Sequence, residues 1–187
     1  MDERIKDVKN VLLKTMEGIK KQDAQLIKDW SDHIIHNASI YQDEFLTRTA
    51  VITYALSKML ERTICDFNKK TCQNFWEKIE RNIKKIIEEL ENEDISKINH
   101  YYTKIIEIIK QYDSNYGEYV GEVLEKARIK KAWKVYTHGL SMGRVAELLG
   151  VSQWELMNYL GVTKANEEYT GGNASERYKK FKKYTEK

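Results

Sequence analysis

Apolar residues recur at intervals of three and four along almost the whole chain, and no stretch alternates apolar with polar in the manner of a strand. The first predicted helix covers residues 2–20, on Ile5, Val8, Val11, Leu12, Met16 and Ile19. Asp23 is placed to cap a second, carried by Trp30, Ile34, Ile35, Ala38 and Tyr41, and Asp43 to cap a third over residues 45–62. Within the third, residues 50–56 are apolar nearly all round, which marks the centre of a domain. Phe75, Trp76, Ile79, Ile83, Ile86, Ile87 and Leu90 give a fourth helix. Ile98, Tyr101, Tyr102, Ile105, Ile106 and Ile109 give a fifth, over residues 95–112. Only Asn92-Glu93-Asp94 separates these two, so an antiparallel hairpin is expected. Their apolar stripes are also the candidate surface for dimerisation. Residues 113–117 form the best domain boundary, and a sixth helix follows over residues 118–138, with Val120, Leu124, Ala127 and Trp133 on it.

The pattern then shortens. Residues 141–149 predict a short helix, Gly150-Val151-Ser152 a turn, and residues 153–160 a second short helix closed by Gly161. Ser141 and Ser152 stand where N-caps accept the orphan amide hydrogens of a helix start. Gly150 supplies the left-handed backbone of a tight turn. Ala146, four positions earlier, is the small residue that closely crossing helices require. Val145, Leu149, Val151, Leu156 and Tyr159 fall on the inner sides of both helices, against the helix before them. The unit is read as a helix-turn-helix.

Residues 139–156, with Ala146-Glu147-Leu148, the turn glycine Gly150, and Ser152 followed by Trp154-Glu155, resemble the small antitoxin-like regulators among prokaryotic helix-turn-helix DNA-binding proteins. The resemblance covers about 25 residues and implies DNA binding by the second helix. One departure is that Gln153 stands where such proteins often carry an arginine before the tryptophan, so a guanine-reading cation is missing.

Composition agrees with the periodicity. The 187 residues include no proline and 9 glycines, which leaves helices uninterrupted and offers strands few turns. The fold class expected is all-α: a helical N-terminal bundle of about five helices (1–115), a C-terminal helix-turn-helix domain (116–168) and a basic flexible tail (169–187). No apolar run reaches the length of a membrane span, and the first residues are charged rather than signal-like. Cys65 and Cys72 are the only cysteines; the two could form one bridge, but a reducing cytoplasm is the preferred reading.

Charge is divided unevenly. Residues 1–125 hold 19 Lys and Arg against 23 Asp and Glu, and residues 126–187 hold 13 against 6. A basic final third containing the motif is the footprint of a polyanion-binding module. Ser152, Gln153, Trp154, Met157 and Asn158 are expected to point outward from the second helix. There the two amides can pair with adenine, and Trp154 or Met157 can meet a thymine methyl. Ser141, Arg144 and Lys164 are placed for phosphates, as are Lys130 and Lys131 in the cation run of residues 128–134.

Asp29, His33 and His36 share a helix face, with Asp43 and Glu44 one helix away, but no second Glu-x-x-His segment completes a metal site. Cys65 and Cys72 with His100 or His138 lack zinc-site spacing. With no phosphate loop, nucleophile elbow or His-Glu-x-x-His, no enzyme, metal or cofactor is expected. The sequence therefore points to a cytoplasmic DNA-binding regulator or antitoxin-like protein. It would be a homodimer, its partner being double-stranded DNA and in addition a protein or toxin. The alternative is a helical scaffold whose helix-turn-helix docks a protein.

Overall fold

The computed structural model describes residues 3–61, 70–114 and 121–170, and these form eight helices with no strand among them. They are α1 (Glu3–Lys21), α2 (Ala24–Tyr41), α3 (Glu44–Glu61), α4 (Lys70–Glu91), α5 (Ile95–Ser114), α6 (Gly121–Thr137), α7 (Met142–Leu149) and α8 (Gln153–Thr170). None is long and apolar enough to cross a membrane.

The helix starts follow local chemistry. The Asp23 carboxylate accepts the Leu26 amide, and Asp43 Oδ1 accepts those of Phe45 and Leu46, so each aspartate satisfies donors that the first turn leaves open. The chain reverses without proline or glycine at three places. Gln22, Gln42 and Glu93 take φ of 56°, 49° and 56°, each just past a helix end. This left-handed conformation is one that a side chain adopts at a cost of roughly 1–2 kcal/mol.

α3 lies at the centre. Residues 49–57 are all buried, and the helix packs against α1, α2, α6 and α7. The Ser31 hydroxyl donates to the Ala50 carbonyl at 2.7 Å, which ties α2 to α3 through a buried hydrogen bond. Tyr102 links α5 to the same helix. It is fully buried, with its hydroxyl 2.6 Å from Thr49 Oγ1, and burial holds the phenol well above the usual tyrosine pKa despite that hydrogen bond. The contact of α1 with α2 is close at Gly18, where an added Cβ would come 2.4 Å from Ile27 Cγ1.

α4 and α5 pair as expected and α1 lies against α4. Ile83, Ile86, Leu90, Ile98, Ile105 and Ile109 are thereby buried within the fold. The stripes expected to form a dimer surface are thus consumed by the hairpin and by α1, because each stripe finds its apolar counterpart inside the chain. The core also runs on past residue 115, since α6 packs against α2 and α3, and α7 against α3. Cys72 is buried and disulfide-bonded, which goes against the preference for a reducing compartment; Cys65 lies outside the described residues.

Candidate functional site: the α7–α8 pair and the helix behind it

α7 begins at Ser141, whose hydroxyl accepts the Arg144 amide, and ends at Gly150 with φ +62°. The Gly150 amide donates to the Glu147 carbonyl and the Val151 amide to that of Ala146. This is the paired closure that a left-handed glycine makes possible at a helix end. α8 opens with a reciprocal cap: Ser152 Oγ accepts the Glu155 amide at 3.1 Å, and the Ser152 amide donates to Glu155 Oε2 at 2.8 Å. Those hydrogen bonds hold the Glu155 carboxyl below the usual range.

Gly161 does not close α8, which continues to Thr170. A glycine ends a helix when it turns left-handed, as Gly150 does; Gly161 stays in the helical conformation and merely lacks a side chain.

Val145, Leu149 and Leu156 are buried, and Val151 and Tyr159 are half-buried, so the inner sides are those the spacing predicts. The opposite side of α8 carries Gln153, Trp154, Met157 and Asn158, all exposed. Trp154 is 68% and Met157 49% accessible.

The expected phosphate contacts fare differently from one another. Ser141 is exposed but occupied as a cap. Arg144 is half-buried; its Nε donates to Gln42 Oε1 at 3.0 Å, and a second nitrogen pairs with Glu147 at 2.8 Å. Lys130 is also half-buried, with Nζ 5.4 Å from the centre of the Tyr54 ring. The side chain of Lys164 lies outside the described residues.

Lys131 overturns its expectation outright. It is 1% exposed and cannot reach a phosphate. Its Nζ donates to Asp32 Oδ1 at 2.5 Å and sits 4.5 Å from the centre of the Tyr54 ring, while Lys134 holds Asp32 Oδ2 at 2.5 Å. Burial pushes the Lys131 ammonium down to about 8, against the pull of Asp32. Burial likewise opposes ionisation of Asp32, but the two lysines outweigh it and keep that carboxyl below its ordinary value. The signal was present in the sequence: Leu124, Ala127, Lys131 and Val135 fall on one helical face, and all four are buried.

The metal candidates disperse. Asp29 accepts from Gln25, His33 lies 2.9 Å from Asp7, and His36 stacks edge-on against His138 with ring nitrogens 3.5 Å apart. Neither Asp43, which caps α3 and pairs with Arg4, nor any other described residue joins them in a group that could hold a metal ion.

Comparison of the chain with protein-family models, curated proteins and solved structures finds no match to any of them.

Proposed function

We propose that the chain is a DNA-binding regulator, antitoxin-like in kind. In this reading α7 and α8 form a helix-turn-helix, and the preceding helices are a bundle that pairs two copies or holds a protein partner. The observation that carries it is the outer face of α8. Four side chains with readable edges, Gln153, Trp154, Met157 and Asn158, are exposed there, and the one carboxylate beside them is occupied in the cap. Asparagine and glutamine amides suit adenine in the major groove, and the two apolar side chains suit thymine methyls. Paired motifs would read half-sites about 34 Å apart.

With Lys131 withdrawn, affinity for the backbone falls to Arg144, to Lys164 and to the basic end, Arg177, Lys179, Lys180, Lys182 and Lys183. The Arg144–Glu147 pair is on the surface, where such pairs contribute about 0–1 kcal/mol, so a phosphate can replace the glutamate.

A second reading is favoured by one observation. A tryptophan and a methionine exposed on one helix face, with no cation among them, are what a protein-docking anchor looks like. The test is fluorescence anisotropy with labelled genomic duplexes across a salt series. Binding should weaken with salt, and Asn158→Ala should cost about 1–3 kcal/mol on a preferred site. Arg144→Ala should flatten the salt dependence by roughly one ion, and Lys131→Met should not change it. Absence of duplex binding at low salt overturns the DNA reading and leaves the docking one.

A further inference from the structure

On the inner flank of α8, away from the face just described, a cavity of about 580 Å³ opens between α3, α6 and α8. Its volume is that of a site for a small organic ligand. α3 supplies Tyr54, Lys58 and Glu61, α6 supplies Lys126, Ile129 and Lys130, and α8 closes it with Tyr159. Lys58, Lys126, Lys130 and Glu61 are the charged groups of the lining, and Glu61 is paired with Lys58.

Lys130 has no carboxylate partner among the described residues. Its Nζ lies over the Tyr54 ring at 5.4 Å, with Lys58 at 5.7 Å and the buried Lys131 at 4.5 Å from the same ring. The hydrogen bond with Tyr54 holds the Lys130 ammonium above the ordinary lysine value, so it stays charged. Lys58 and Lys131 already hold Glu61 and Asp32, whereas the ring offers Lys130 only a partial negative charge, and a low-dielectric wall strengthens whatever anion joins it.

We propose that this cavity binds a small organic anion: a planar or apolar body bearing a phosphate or carboxylate group, the anion on Lys130 and Lys58 and the body against Ile129 and Tyr159. Because Tyr159 belongs to α8, the bound anion acts as an effector of the outer face. That effector role rests on the reading above, whereas the binding itself does not.

The test is calorimetric titration of the full chain with naphthyl phosphate, naphthoate, the neutral naphthalenemethanol and inorganic phosphate. One of the two aryl anions should bind at one site per chain, at least about tenfold tighter than the neutral alcohol and than inorganic phosphate. Which of them binds tighter identifies the head group. Lys130→Met should weaken it about tenfold, and Lys58→Met, which leaves the Lys130–Tyr54 contact in place, should weaken it severalfold. Equal binding of the alcohol reduces the cavity to an apolar patch, and equal binding of inorganic phosphate removes any role for the body. Either result overturns the proposal, as does an unchanged Kd in both variants with unaltered melting temperatures. Repeating the anisotropy titration with saturating aryl anion should shift duplex affinity. Anion binding without that shift overturns the effector role alone, and a lack of duplex binding in any condition counts against the DNA reading and not against the cavity.

Discussion

α6 and α8 each place a side chain where its residue type alone would not put it. On α6 a run of cations, Arg128 to Lys134, turns one lysine into the core, where Lys131 shares the buried face of Leu124, Ala127 and Val135. On α8 an aromatic and a thioether, Trp154 and Met157, are turned to solvent. Residue type alone would have sorted them the other way, lysine out and tryptophan in. Register decides instead. The helix behind the α7–α8 pair must contact α2, α3, α7 and α8 at once, so few of its positions can face water. The first turns of α8 bury Leu156 and Leu160, half-bury Tyr159, and leave Gln153, Trp154, Met157 and Asn158 exposed. A buried charge in one helix and exposed apolar groups in the other are the two departures from ordinary partition, and they separate what maintains the fold from what is available for contact.

The largest test of that separation is Asp32→Ala. It leaves the Lys131 ammonium buried beside an aromatic ring with no counter-charge, and breaking a buried pair in this way costs on the order of 3 kcal/mol. Asp32 retains 29% exposure, so the loss should fall at or below that figure, read as a lower urea midpoint. Lys131→Met removes the buried charge while keeping a flexible apolar side chain, and Lys134 still holds Asp32, so stability should change by less than about 1.5 kcal/mol. The pH dependence carries a definite sign. The folded chain releases the Lys131 proton near pH 8, while the unfolded chain keeps it to the ordinary value of 10.5. The unfolded state therefore binds more protons between those limits, and the stability of the natural chain relative to Lys131→Met should rise with pH across that window. Equal losses in Asp32→Ala and Lys131→Met, with no pH trend between them, would mean that α6 carries its cation outside.

Which features were legible in the sequence depends on how local their causes are. The caps at Asp23, Asp43, Ser141 and Ser152, and the turn at Gly150, each involve residues within a few positions of one another, and the helices start where those residues stand. The Glu155 carboxylate is as local as these, and the spacing Ser-x-x-Glu is its signal. Lys131 was harder, because its partner Asp32 lies 99 residues away and only the stripe through Leu124, Ala127 and Val135 hinted at burial. The fate of the α4 and α5 stripes was not legible at all, since an apolar face does not say whether its counterpart comes from the same chain. Gly161 misled because a glycine permits a left-handed turn without requiring one.

A smaller effect is expected at the start of α8. Ser152→Ala removes the hydroxyl that accepts the Glu155 amide and should cost about 1 kcal/mol in urea unfolding. Glu155→Gln should cost much less, because glutamine can take the same place in the reciprocal cap. That variant also deletes the one charge within residues 153–158 without disturbing the helix. Non-specific duplex affinity should then rise slightly, whereas a protein partner that uses the apolar pair has no reason to notice. A loss of stability as large as that of Ser152→Ala would show that the charge of Glu155 against the helix N-terminus, rather than its hydrogen bond, is what α8 uses.

The smallest expected effect on the fold is the most discriminating for the outer face. Trp154 and Asn158 are exposed and neither belongs to the core, so Trp154→Ala and Asn158→Ala should each leave unfolding free energy within about 0.5 kcal/mol of the natural chain. Both side chains are therefore open to a contact outside the chain. The two readings of that contact divide on the pair. If α8 enters a major groove, Asn158→Ala should relax preference at one base pair, and Trp154→Ala should weaken binding only modestly through a lost methyl contact. If α8 docks a protein, Trp154→Ala should remove most of the affinity and Asn158→Ala little. A marked drop in melting temperature for Trp154→Ala would break the contrast between the two helices, because it would return that side chain to the core.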